Sequence, residues 1–98
     1  MNELIYVGSP YSHPDYWIRN ARYKAVMDYC VFLIRQGKFA YSPIVYGHEM
    51  AREHFLPTDA KWWEDFNHTF LARCDALHVY HMDGWEDSKG LAAEIEFA

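Results

Sequence analysis

Three short apolar runs, separated by stretches of helical spacing, leave this chain few ways to fold. Leu4-Ile5-Tyr6-Val7 is followed at once by Gly8-Ser9-Pro10, which predicts a buried first strand and a tight loop. Ser12 or His13 then precedes Pro14 and Asp15, residues suited to a first helical turn. There the missing proline N–H costs nothing and an acid meets the positive end of the dipole. Ile18, Ala21, Ala25, Tyr29 and Phe32 recur three to four apart, so a long helix is expected over about 14–36, stopped by Gly37. Phe39 to Ile44 reads as the second strand, with Pro43 ending its ladder. A short polar helix is expected over 47–55. A longer one, capped by Thr58, is expected over about 59–73, carrying Trp62 or Trp63, Phe66 and Phe70. The third strand is expected over 75–82 and a loop over 83–87. Ser88 caps a last helix over 89–98.

The order β-α-β-α-α-β-α argues a parallel sheet with right-handed crossovers. The expected fold is α/β, a Rossmann-like, flavodoxin-like three-layer arrangement of one domain covering residues 1–98. In such sheets ligands bind beyond the carboxyl ends of the strands. Gly8 to Tyr11, Ser42-Pro43 and Asp83 to Gly90 would meet there from distant parts of the chain.

The charge balance excludes some functions. With 9 basic against 14 acidic residues there is no Lys/Arg cluster to neutralise a nucleic-acid polymer, although one small anion held by a few donors remains open. No apolar run approaches the ~20 residues of a membrane span, and the start has no basic signal-like region. Cys30 and Cys74 form no CxxC and read as free thiols, so the cytoplasm is the expected location. His78 and His81 fall on opposite faces of a strand, and His48 and His54 share no helix face; no metal site is expected. Apolar and aromatic residues, 51% and 18% of the chain, exceed what a three-stranded domain can bury. Self-association is therefore expected, with the Trp62-Trp63 helix as the surplus face.

The sharpest local pattern is Ser88-Lys89-Gly90-Leu91-Ala92-Ala93-Glu94 and its continuation to Ala98. Ser88 and Gly90 open a helix, whose free N–H groups can hold an anion. Glu94 lies one turn on, on the side of Gly90 and Ala98, which are small enough to let a ligand approach. The helix N-terminus is expected to keep Glu94 ionised. Glu96 points elsewhere. Trp85, before Ser88, is the best placed tryptophan for stacking a base, with Tyr11 next.

With these residues the chain resembles the nucleoside 2-deoxyribosyltransferase superfamily, which includes the deoxynucleoside 5′-monophosphate N-hydrolases. It is most similar to the short, often phage-associated members. The resemblance rests on Ile5-Tyr6-Val7-Gly8-Ser9-Pro10, Tyr41-Ser42-Pro43-Ile44, Cys74-Asp75-Ala76-Leu77 and Ser88-x-Gly90-x-x-x-Glu94-x-x-x-Ala98. It implies cleavage or transfer at the N-glycosidic bond of a deoxynucleoside or its 5′-monophosphate, without cofactor or metal. Glu94 would be the nucleophile, with Tyr6 beside it in the catalytic set. Tyr6, Gly8, Ser9 and Pro10 would line the sugar and phosphate. Ser88 stands where the monophosphate hydrolases carry serine, and serine with helix amides suits a 5′-phosphate. Arg22 or Arg19 could add positive charge. Homo-oligomers are also implied.

The chain departs from that pattern twice. The family's general acid is an aspartate on the helix before the third strand, and here that position is Asn67. Either a neighbour such as His68 serves, or activity is weak, or the domain binds nucleotide without turnover. Asp65 lies roughly 200° around the helix and is no simple substitute. The family also runs on beyond a point equivalent to Ala98, so a minimal or C-terminally shortened domain is expected. A non-catalytic nucleotide-binding module and a partner-binding domain of the same fold are the rival readings.

Overall fold

The computed structural model describes residues 3–98. Strands β1 (Leu4–Gly8), β2 (Phe39–Tyr41) and β3 (Ala76–Val79) form one parallel sheet in the order β2-β1-β3. Helices α1 (Tyr16–Arg35), α2 (Pro43–His54), α3 (Ala60–Leu71) and α4 (Lys89–Phe97) complete it, with a 3₁₀ turn over Trp85–Asp87. This is the expected α/β, Rossmann-like architecture with its small parallel sheet.

The central strand sorts its side chains by the two-residue period of a strand. Ile5 and Val7 join Val26, Cys30 and Leu33 of α1 and Ile44 of α2 in the core cluster. Tyr6 points to the opposite face and reaches Glu94 of α4. Ile5, Tyr6 and Val7 are all fully buried, and each such side chain contributes roughly 1.5–3 kcal/mol of burial. Gly8 is required where α4 crosses this strand. A Cβ there would stand 2.9 Å from Leu91 Cδ1 and 3.3 Å from Glu94 Oε1.

Several local expectations need correction. Helix α1 is capped by Asp15, whose carboxylate accepts the Trp17 N–H at 2.8 Å, so Pro14 lies outside the helix. Its buried face is Val26, Cys30 and Leu33, whereas Ile18 and Phe32 are 37% and 56% exposed. The helix is apolar on two sides, so spacing alone did not select the inner one. Strand β2 stops at Tyr41, because Ser42 turns and caps α2, accepting the Val45 N–H at 3.2 Å. Pro43 begins that helix, the position where a missing N–H is harmless. Asp59, not Thr58, caps α3 through the Trp62 N–H at 3.1 Å. Strand β3 ends at Val79 since its partner β1 has run out; the last link is Tyr80 N–H to Gly8 O at 2.8 Å. Ser88 caps α4 as expected, accepting the Leu91 N–H at 3.2 Å.

Candidate functional site

The carboxyl ends of the strands open into a cleft of about 70 Å³. Ser9, Tyr11 and Ser12 of the loop after β1 form one wall, and Pro43, Ile44, Gly47, His48 and Ala51 of α2 a second. Ser88, Gly90, Leu91 and Glu94 of α4 form a third, and Thr58 to Ala60 with Trp63 and Asn67 of α3 close over them. Ser12 Oγ donates to Thr58 O at 3.1 Å and ties the first loop to the entry of α3.

Glu94 is the centre of this geometry. It is 7% exposed, and its Oε2 accepts a short hydrogen bond from the Tyr6 hydroxyl. Burial pushes its carboxyl up to about 7, while the Tyr6 hydrogen bond pulls the other way. Loss of water outweighs the hydroxyl, so the acid expected to be kept ionised by the helix N-terminus holds its proton well above the ordinary carboxyl range. The Tyr6 hydroxyl is itself held protonated by burial and by the neighbouring Glu94. Glu96 is exposed on the outer side of α4.

Ser9 carries the second signal. It is 5% exposed, and its Oγ has no hydrogen-bond partner although it belongs to the cleft wall. A buried hydroxyl without a partner costs about 1–3 kcal/mol, which a polar ligand would recover. Ser88 Oγ, spent as an acceptor on its cap, still has its proton to donate. Asn67 also lines the cleft, with a buried Oδ1 lacking a partner.

Other candidates sit elsewhere. Gly8 and Pro10 are buried behind the cleft. Trp85 stacks on His81 at 4.0 Å and 11°, outside the cleft. Arg22 donates to Ser12 O at 3.1 Å and lies against Gly84, where a Cβ would come within 2.6 Å of its Nη2. It therefore ties the loops after β1 and β3 together in a separate shallow groove with Trp17 and Met82. Gly90 does border the cleft, but the group that needs its smallness is Ala60, 2.7 Å from where a Cβ would stand. Close packing of α4 on α3, rather than ligand approach, accounts for this glycine. His68 stacks on Phe97 at 4.3 Å, away from the cleft, and Asp65 is exposed.

His48, weighed from the sequence only as a metal ligand, and Trp63, assigned to the surplus apolar face, both line the cleft. His48 is buried, its Nδ1 2.7 Å from the Tyr11 hydroxyl and its Nε2 3.2 Å from Asn20 Oδ1. Tyr23 stacks on its ring at 4.2 Å, and burial lowers its pKa. Trp63 lies over Gly47, 3.4 Å from where a Cβ would be, with its indole N–H on Pro57 O at 2.8 Å. The available signal was the pair Gly47-His48: a glycine inside a helix marks a close approach.

Among the described residues no cluster of His, Cys, Asp and Glu is placed to hold a metal ion, and no helix is long and apolar enough to cross a membrane. No curated protein matches the chain. A family model, described as a domain of unknown function (DUF1937), matches residues 3–98. With its sheet, its cleft and nearly all of its length inside that match, the chain belongs to the DUF1937 family.

Proposed function

We propose that this domain cleaves, or transfers across, the N-glycosidic bond of a 2′-deoxynucleoside or its 5′-monophosphate in the cytoplasm, with Glu94 as nucleophile. The observation that carries the reading is a carboxyl buried in a cleft wall and aimed by a buried tyrosine hydroxyl. Burying a carboxyl costs stability, and groups so placed concentrate at reactive sites. Attack on C1′ would give a glycosyl ester, resolved by water or by another base, as in retaining glycosidases. The Ser9 and Ser88 hydroxyls and the α4 amides would hold the 5′ end.

The test is incubation with deoxynucleosides and their monophosphates, with chromatography for free base. Release is expected, faster from monophosphates. Ser88→Asp keeps a good helix cap yet places a negative charge at the phosphate. It should weaken monophosphate binding more than nucleoside binding; equal weakening of both would remove the phosphate assignment. Asn67, which has no proton to release, favours a second reading as a nucleotide-binding module. That reading predicts a ligand-induced thermal shift with no base released.

Self-association belongs to the same proposal. Trp62, Phe66 and Phe70 line the outer face of α3 and continue onto Tyr46 of α2, with ring centroids 5.9 Å apart for Tyr46–Phe66 and 5.1 Å for Phe66–Phe70. Light scattering at tens of micromolar should give a dimer or larger, and Phe66→Glu should shift it to monomer. A monomer mass for the parent would sink the idea.

A further inference from the structure

We propose that the base leaves this cleft as an anion, so that the substrates are deoxyribosides of electron-poor, acidic bases. This rests on the glycosidic reading and deepens it. What decides the matter is where the cleft keeps its protons.

Four lining side chains can carry or lose a proton: Tyr11, His48, Asp59 and Glu94. Glu94 is the attacking group. Asp59 spends its carboxylate on the Trp62 N–H as the cap of α3. His48 and Tyr11 close on each other. Asn20 Oδ1 can only accept, so Nε2 carries the imidazole proton and Nδ1 accepts the Tyr11 hydroxyl proton. The remaining polar group over the cleft from α3 is Asn67. Its carboxamide can donate a hydrogen bond but cannot release a proton. The titratable residues of α3 lie outside the cleft: Asp65 is exposed, His68 stacks on Phe97, and Lys61 and Glu64 pair with each other at 3.8 Å.

The chemistry then has a definite charge balance. A Glu94 carboxylate oxygen bonds to C1′ as the C1′–N bond breaks, and the bonding pair goes to the base nitrogen. The base departs as an anion and takes its proton from water. A second attack on C1′, by water that loses a proton, frees the sugar and restores the carboxylate. One water is consumed overall. Because no proton transfer cancels the developing charge, the rate follows the acidity of the departing base.

The experiment measures base release by the intact protein from deoxyuridine 5′-monophosphate, its 5-methyl, 5-bromo and 5-fluoro analogues, and deoxyadenosine 5′-monophosphate. The rate should climb by about tenfold or more from the 5-methyl to the 5-fluoro substrate, with the purine well below the 5-fluoro substrate. Equal rates along the series would overturn the inference and leave the glycosidic reading standing. Faster release from the purine than from the 5-fluoro substrate would do the same. No release from any member would overturn both.

Discussion

Replacing Glu94 with Gln is expected to abolish base release, by on the order of 10³-fold or more, while nucleotide binding stays within about tenfold, or ~1.4 kcal/mol. Gln keeps the shape and an acceptor for the Tyr6 hydroxyl but has no charge to place on C1′. Glu96→Gln, on the exposed side of the same helix, should change nothing. Base release by Glu94→Gln at the parent rate would remove the proposed mechanism. The same variant has an opposite effect on stability. Glu94 titrates near 7 in the fold against an ordinary carboxyl value of 4.5. The folded state therefore holds a proton that the unfolded chain gives up, so stability falls as pH rises from 4.5 to about 7 and is flat beyond. The loss is about 3 kcal/mol. Glu94→Gln should match the parent at pH 4.5 and exceed it at pH 8 by that amount, roughly 10 °C or more in Tm for a domain this size. Parallel Tm curves for the two proteins would mean that Glu94 is not a strained carboxyl. A mutation that destroys activity and strengthens the fold marks a residue kept for its chemistry.

The parts of this site legible in the sequence are those with a local signature. Ser88 three residues before Leu91 announces a cap, and Glu94 one turn further on follows from the helical period; both stand where expected. Leu4 to Gly8 is legible because an apolar run ending in glycine has little else to be. Pro43 was misread because a proline ends a strand and begins a helix with equal propriety, and Ser42 before it was the deciding clue. The inner face of α1 was illegible for a different reason. Phe32 and Leu33 are adjacent and both apolar, and only the packing of β1 against Val26 and Leu33 separates them. His48 and Trp63 reach the cleft because α2 and α3 fold over it, a tertiary fact whose one local trace is the glycine at Gly47. Trp85 and Arg22 failed to reach it for the converse reason. The loop after β3 folds back on itself, stacking Trp85 on His81 and holding Arg22 against Gly84.

Asn67→Asp should raise turnover, since a positioned acid is worth roughly 10²–10⁴-fold. The introduced carboxyl would hang from α3 over the same cleft as Glu94. Two carboxyls in one partly dry site push their pKa values apart, so one keeps a proton while the other is charged. The cleft would then hold both partners of a glycosidic cleavage, an anion to attack C1′ and an acid to receive the base. The gain should be largest for the least acidic bases, which leave worst as anions, and smallest for the 5-fluoro pyrimidine. The dependence of rate on base acidity should flatten accordingly. The pH profile should change as well. The parent rate should rise through pH 7 with ionisation of Glu94 and then level off. The variant should add a falling limb where the new acid loses its proton, giving a bell. Asn67 and Asp are nearly isosteric, so the fold and binding should survive, and a thermal shift with nucleotide checks that they do. If binding is retained and turnover is unchanged for every base, the proton for the leaving group does not pass through this position, and the anionic departure proposed for the parent loses its explanation.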